Sequence, residues 1–144
     1  MKYFIHLSAL AAVLSSCSPA ADYKSERDGV MKYHDVVMQD HDVLVNQQIR
    51  IDTVLKSMPA LKKQFPELDT VQEKQALEQM TLRLNKARNR MNVWMQEFEP
   101  DVSGKSNTQA VQYFKAEKKK IAGIDSSYKA EIKSAAALLG HYTR

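Results

Sequence analysis

The feature that most constrains the fold is an apolar residue at every seventh position between residues 30 and 58. The series is Val30, Val37, Leu44, Ile51 and Met58, and no glycine or proline lies inside it. Residues seven apart lie on one face of an α-helix, so the series predicts one long helix with an apolar stripe. We expect this helix to end at Met58, because Pro59 disfavours helical geometry in the residue before it.

Two further apolar stripes at helical spacing predict two more helices. The second stripe comprises Leu77, Met80, Leu84, Ala87, Met91, Trp94 and Phe98. The third comprises Val111, Phe114, Ile121, Tyr128, Ile132, Ala135 and Leu139, with Ile124 widening it. An amphipathic helix of this length has to pack to bury its stripe, and that burial is expected to be the main stabilising term.

The helix boundaries are predicted from capping and turn residues. Thr70 and Glu73 fit a capping box, in which each side chain bonds the other residue's backbone N–H. The second helix should therefore begin at residue 69 or 70 and stop before Pro100. The third should begin near Ser106 and end at Gly140, since glycine commonly follows the last helical turn.

Short connections force sequential helices to lie antiparallel. The sequence therefore predicts an all-α fold, an antiparallel up-down-up three-helix bundle with long coiled-coil-like helices, over residues 30–144. Leu61, Phe65 and Leu68, in the first connection, should close one end of the core. The alternative is a core that is completed only in a homo-oligomer, because polar residues interrupt the stripes: Asp40, Gln47, Lys118 and Asp125.

The stretch Leu14-Ser15-Ser16-Cys17 follows an apolar run over residues 4–14 and predicts export. This run is too short to span a bilayer, which takes about 20 apolar residues, but it suits a signal peptide. Leucine, two small residues and cysteine match the site of lipoprotein signal peptidase. We expect residues 1–16 to be a lipoprotein signal peptide, and Cys17 to carry the acyl chains, palmitate among them.

The expected lipid anchor ties the protein to the bacterial cell envelope. Residues 17–29 read as a lipidated tether, and Ser18, which is not Asp, favours the outer membrane by analogy. Two or more acyl chains anchor stably, whereas one chain binds only marginally. The alternative is an ordinary signal peptide, whose removal would leave Cys17 as a free thiol. Cys17 is the only cysteine, so the chain offers it no disulfide partner.

Three stretches together resemble a known group of proteins: His34–Met38, Trp94–Pro100 and Tyr113–Ile121. Their order resembles small helical lipoproteins of Bacteroidetes-type bacteria, which are often labelled "viral A-type inclusion protein". That label reflects coiled-coil similarity and implies no viral function. The resemblance implies an uncharacterised envelope lipoprotein of helical fold, and it implies no catalytic residue.

One cluster of side chains suggests a soft-metal site. Met31, His34, Met38 and His41 are spaced 3, 4 and 3 apart, so they share one helix face. The antiparallel second helix should bring Trp94 beside them. Thioether, imidazole and an indole face suit a cation such as Cu(I). The competing interpretation is ordinary core packing, in which methionine fills gaps and Trp94 occupies its stripe.

The run Lys118-Lys119-Lys120 has two interpretations. Lysines near an anionic bilayer contribute about 1 kcal/mol each, so the run could contact lipid headgroups. A charge run is more commonly a solvated helix face. The net charge of +4 is weak and dispersed, which argues against a nucleic-acid partner.

The chain contains no phosphate-binding glycine loop and no nucleophile motif, so we do not expect an enzyme. The favoured function is a membrane-tethered structural or protein-interaction module of the envelope, with an envelope protein as its partner. No cofactor is expected apart from the lipid on Cys17. The alternative is a periplasmic Cu or Zn binding protein that uses the His, Met and Trp cluster.

Overall fold

A computed structural model describes residues 22–142, and within that range the chain forms three α-helices and no strand. Helix α1 spans Tyr23–Gln64, α2 spans Thr70–Glu97 and α3 spans Asn107–Gly140. All three helices pack against one another, most closely α1 on α3. The predicted all-α three-helix bundle is confirmed.

Contacts between the helices show their directions. Gln48 of α1 donates a hydrogen bond to Asn85 of α2 at 2.8 Å, while the earlier His34 lies beside the later Trp94. α2 is therefore antiparallel to α1, and α3 returns parallel to α1. We call the starts of α1 and α3 with the end of α2 the proximal end. The distal end comprises the end of α1, the start of α2 and the end of α3.

The three predicted stripes form the core. Val30, Val37, Leu44 and Ile51 are completely buried, and Met58 is 7 % exposed. Burying a side chain of this kind contributes about 1.5–3 kcal/mol, so the stripes supply most of the stability. Two polar residues in the stripes have partners within the chain: Gln47 donates to the carbonyl of Ile132 at 3.0 Å, and Asp125 pairs with Lys129 at 2.7 Å. The buried Oε1 of Gln47 and Oδ2 of Asp40 have no hydrogen-bond partner among the described residues. The stripes are buried within a single chain.

Helix α1 begins earlier than predicted, at Tyr23. The Asp22 side chain caps it by accepting a hydrogen bond from the backbone N–H of Lys24 at 3.2 Å. The Tyr23 ring stacks on Phe114 of α3, with ring centroids 6.3 Å apart. The predicted tether over residues 17–29 is therefore wrong for residues 23–29, which are helical. Packing of Tyr23 onto the bundle supports the extra turns.

Helix α1 also continues past Pro59, where the sequence predicted its end. Proline removes one helical hydrogen bond at a cost of about 3 kcal/mol. Pro59 itself is exposed, whereas the neighbouring Met58 is buried and Leu61 packs against the core. Burial of these two side chains holds the helix together as far as Gln64.

Helix α2 begins at Thr70 as predicted, but the predicted capping box is wrong. Asp69 is the N-cap, and its carboxylate accepts hydrogen bonds from the backbone N–H groups of Val71 and Gln72 at 3.1 Å. A carboxylate one residue upstream displaces the Thr70 hydroxyl from that role. The capping box of this chain lies instead at the start of α3, between Ser106 and Gln109.

Helix α3 runs unbroken through Gly123 and includes Gly140 as its last residue. Gly123 faces solvent, and its cost of about 1 kcal/mol relative to alanine does not interrupt the helix. The bounds of α2 and α3 agree with the predicted ones to within a few residues. The second connection, from Phe98 to Ser106, brings the end of α2 and the start of α3 together at the proximal end.

Candidate functional site: the two ends of the bundle

The predicted lipidation site, Cys17, and the predicted signal peptide lie outside the described residues. The position of α1 nevertheless limits the length of a tether. The chain from Cys17 to Tyr23 reaches at most about 20 Å when fully extended, half the distance expected for a linker ending at Gly29. Within residues 22–142, no helix contains an apolar stretch sufficient to cross a membrane.

The proximal end is closed by aromatic rings. Trp94 stacks on Phe98 with centroids 4.7 Å apart, and Phe98 lies 6.3 Å from Phe114. Tyr113 meets Phe114 edge-on at 5.2 Å, and its hydroxyl accepts a hydrogen bond from the backbone N–H of Glu99 at 2.8 Å. These rings fill the space between the helices at this end. Two open grooves lie on the surface beside them, one of about 670 Å³ along the start of α1 and one of about 280 Å³ at the second connection.

A buried acid supports this aromatic cluster. Trp94 Nε1 donates to Glu117 Oε2 at 2.9 Å, and Glu117 is only 5 % exposed. Glu117 Oε1 accepts from Lys120 Nζ at 2.8 Å, so the carboxylate is paired on both oxygens. This role could not be recognised from the sequence, because Glu117 adjoins a lysine run that is typical of a solvated helix face. Its function here is to satisfy the buried indole N–H.

The two predicted histidine ligands face different helices. The His34 ring lies 6.3 Å from the Trp94 ring of α2, and its Nδ1 is 3.1 Å from the carboxylate of Asp35. His41 Nδ1 is 3.3 Å from the hydroxyl of Tyr128 on α3, and the two rings stack. The structure thus brings His34 to Trp94, as predicted, but directs His41 to another neighbour.

The remaining predicted ligands differ in their exposure. Met31 is 38 % exposed, whereas Met38 is partly buried against the core. One face of the Trp94 indole is covered by Phe98, which limits its access to a cation. Among residues 22–142, no group of three or more His, Cys, Asp or Glu residues could hold a metal ion. Soft-metal binding through methionine and histidine stays a prediction.

The lysine run is divided between ion pairs and solvent. Lys118 Nζ lies 3.5 Å from Glu26 Oε2, and its aliphatic chain passes over Gly29. The hydrogen bond from Lys120 to Glu117 raises the pKa of Lys120. Lys119 is exposed, and it is the residue of the run best placed for the predicted membrane-surface contact. That contact stays a prediction.

The distal end contains an open cleft of about 680 Å³, which differs from the groove along the start of α1 because a phenylalanine and two leucines line it. We call it the distal cleft, and its lining comprises Leu61, Gln64, Phe65, Glu67, Leu68, Glu73, His141 and Tyr142. Phe65 was predicted to close the core together with Leu61 and Leu68. That prediction is wrong for Phe65, which is 52 % exposed, while the two leucines pack partly against the core.

Two polar contacts give the distal cleft its shape. The Tyr142 hydroxyl donates to the carboxylate of Glu73, which ties the residues after α3 to the first turn of α2. Burial raises the pKa of Tyr142, and this contact raises it further, so the hydroxyl remains a donor at neutral pH. Lys62 Nζ donates to the carbonyls of Pro66 and Leu68 at 2.6 and 2.8 Å, which fixes the connection. Nothing in the sequence pointed to Tyr142, which follows the predicted helix end.

No protein-family profile, curated protein or solved structure matches the chain. The resemblance to small helical lipoproteins therefore stays a prediction drawn from three short stretches. Function has to be inferred from the residues of the chain and from their geometry.

Proposed function

We propose that the protein is a membrane-tethered helical lipoprotein, acylated on Cys17, that acts as a structural or protein-interaction module of the bacterial envelope. The observation that carries this proposal is the order of three features. An apolar run ends in Leu14-Ser15-Ser16-Cys17, and a stable helix begins at Tyr23. This order supports an acylated residue joined directly to a folded domain.

The proposed anchor on Cys17 implies an orientation for the bundle. A link of about 20 Å keeps the proximal end close to the bilayer. Helix α1 has 42 residues and is about 63 Å long, so the distal cleft lies on the side away from the membrane. The proximal end acts as the base of the bundle, and the distal end is the surface available to a partner. Ser18 favours the outer membrane as the location.

Binding, and not catalysis, is the proposed activity. The buried polar groups at the proximal end pair with one another, as Trp94, Glu117 and Lys120 do. These pairings stabilise the fold, which supports a structural role for the polar groups of that end. The proposed partner is an envelope protein.

Metabolic labelling tests the tether. Bacteria expressing the full chain are fed an alkyne analogue of palmitate, and the purified protein is examined for the label and by intact mass. We expect labelled protein that begins at Cys17, whereas a Cys17→Ser variant stays unlabelled, because the chain has no other cysteine. Absence of label from the wild-type chain, or equal label in both chains, contradicts the proposal.

The alternative function, periplasmic soft-metal binding, has one observation in its favour. His34 stands beside Trp94, close to the exposed Met31, so a thioether and an imidazole are accessible at the same end. Calorimetric titration with Cu(I) and Zn(II) decides between the two functions. Micromolar binding that is lost in a His34→Ala, His41→Ala double variant supports the alternative. Absence of such binding removes it.

A further inference from the structure

Phe65 stands apart from the other aromatic residues in the described segment, because its side chain is 52 % exposed. The remaining rings between residues 22 and 142 are buried or half-buried. Phe65 borders the distal cleft together with Leu61 and Leu68, which form its apolar wall. A large exposed ring beside two leucines provides a surface on which an apolar side chain from another molecule would be stabilised.

Carboxylates are the charged groups of the distal cleft among residues 22–142. Glu67 and Glu73 contribute them, His141 adds an imidazole, and none of the lining residues described is a lysine or arginine. Two lysines lie in the last turn of α1: Lys62 donates to the carbonyls of the connection, and Lys63 is exposed outside the cleft lining. The cleft also lies beside the ends of α1 and α3, where the helix dipoles are negative. The opposing positive dipole at the start of α2 is capped by the Asp69 carboxylate.

The distal cleft contains a specific hydrogen-bond acceptor in addition to its negative electrostatic potential. Glu73 is half-buried, and it accepts the Tyr142 hydroxyl on Oε2. A carboxylate has two oxygens and about four acceptor positions, so one hydrogen bond leaves Glu73 able to accept another. Phe65 lines the same cleft, and the face of an aromatic ring attracts positive charge.

We infer that the distal cleft binds a partner protein segment in which an apolar side chain lies next to a lysine or arginine. This inference deepens the proposed function, on whose interaction role it rests, by naming the surface and the chemistry of the partner. The apolar side chain packs on Leu61, Phe65 and Leu68, and the basic group pairs with Glu73 and Glu67. A segment with an acidic group in the same position is repelled by both carboxylates.

Fluorine NMR of the full chain tests the inference. The four phenylalanines are replaced by 4-fluorophenylalanine, and a Phe65→Leu chain identifies the Phe65 resonance. Phe98 and Phe114 lie at the proximal end and serve as internal references. The probes are acetyl-Leu-Leu-Lys-amide, its Gln and Glu counterparts, and acetyl-Gly-Gly-Lys-amide.

We expect the Phe65 resonance to shift on addition of the Leu-Leu-Lys peptide, while the Phe98 and Phe114 resonances stay in place. The Gln peptide should bind about three- to fivefold more weakly, which is the size of one partly exposed charge pair, and the Glu peptide more weakly still. The Gly-Gly-Lys peptide should cause no shift at the same concentration, because it lacks the apolar group.

A pair of matched variants locates the charge preference. Glu67→Gln combined with Glu73→Gln should make the Lys and Gln peptides bind equally, because both carboxylates are removed. The shape of the cleft should persist, since glutamine can still accept the Tyr142 hydroxyl. Glu78→Gln, on α2 but outside the cleft, should keep the preference. Unchanged Phe114 resonances confirm that each variant is folded.

Four results would each overturn the inference. They are a static Phe65 resonance at millimolar peptide, equal binding of the Lys and Gln peptides, equal binding of the Gly-Gly-Lys peptide, and a preference that survives the double variant. The titration does not depend on acylation. A failure here therefore leaves the palmitate result intact, and a failure of palmitate labelling leaves this titration interpretable.

Discussion

The two ends of the bundle use similar residues to opposite effect. At the proximal end, Trp94, Phe98 and Phe114 stack on one another, and Glu117 satisfies the indole N–H. At the distal end, Phe65 is exposed and an open cleft remains. The same apolar stripes run into both ends. The difference comes from the residues next to the helix termini, where aromatic rings from all three helices converge at one end only.

This contrast separates stability from recognition within one small domain. Rings that stack at the proximal end contribute burial and aromatic contacts to the folded state. Phe65, the exposed ring at the distal end, contributes little to folding and is available to a partner. A base that is rigid and lies close to the bilayer also presents the distal cleft in a constant position.

The largest expected effect on stability comes from comparing two variants, each of which removes one aromatic ring at one end. Phe114→Ala should lower the free energy of unfolding by about 3–5 kcal/mol, because Phe114 is fully buried and leaves a cavity. Phe65→Ala should lower it by less than about 0.5 kcal/mol, as for an ordinary surface substitution. Urea denaturation followed by circular dichroism measures both. Similar losses in the two variants would remove the contrast.

The buried acid at the proximal end gives the next largest effect. Glu117→Ala leaves the Trp94 N–H buried without its acceptor, at a cost of about 1–3 kcal/mol. Glu97→Ala, an exposed acid at the same end, is the matched control and should change stability little. Trp94 is the only tryptophan, so its fluorescence reports directly on the affected site. An unchanged emission spectrum and stability in Glu117→Ala would contradict the assigned role.

Tyr142→Phe tests the polar contact at the distal end. Loss of the hydrogen bond to Glu73 should cost about 1 kcal/mol. The pKa of Tyr142 is raised in the folded protein, so its contribution is complete below pH 10 and declines as the pH rises further. The difference in stability between wild type and variant should therefore shrink above about pH 10. A difference that stays constant up to pH 12 would show that the contact is not protonation-linked.

The smallest expected effect is a gain in stability from a substitution that lies away from both ends. Gly123 lies in the exposed middle of α3, and a methyl group there would meet only the end of the Arg90 side chain, 4.0 Å away. Gly123→Ala should raise the free energy of unfolding by about 0.5–1 kcal/mol through helix propensity. Thermal denaturation measures it. A loss of stability would indicate a packing role for this face that the structure does not contain.

The body of each helix could be predicted from the sequence, because burial at regular spacing determines it. The series from Val30 to Met58 is buried throughout, and the α2 and α3 stripes behave in the same way. Helix ends proved harder to predict, because local and tertiary effects compete there. Pro59 has a strong local preference against a helix, yet burial of Met58 and Leu61 outweighs it.

The candidate sites could be predicted only where helix periodicity and antiparallel packing determine the contact. His34 was placed beside Trp94 correctly, because antiparallel packing follows from short connections. Glu117 could not be recognised, since it adjoins a lysine run that is typical of a solvated helix face. The distal cleft depends on Tyr142 reaching Glu73 across 69 residues of sequence. No local signal encodes such a contact.

Hydrogen–deuterium exchange along α1 tests the contrast between the ends most directly, because one continuous helix passes through both. We predict that amides in residues 30–44 exchange more slowly than those in residues 54–64, since the proximal segment packs under the aromatic cluster and the distal one contains Pro59 and borders the cleft. The exchange is followed by mass spectrometry on the full chain. Uniform protection along α1, or slower exchange at its distal end, would contradict the contrast between a tightly packed proximal end and an exposed distal recognition surface.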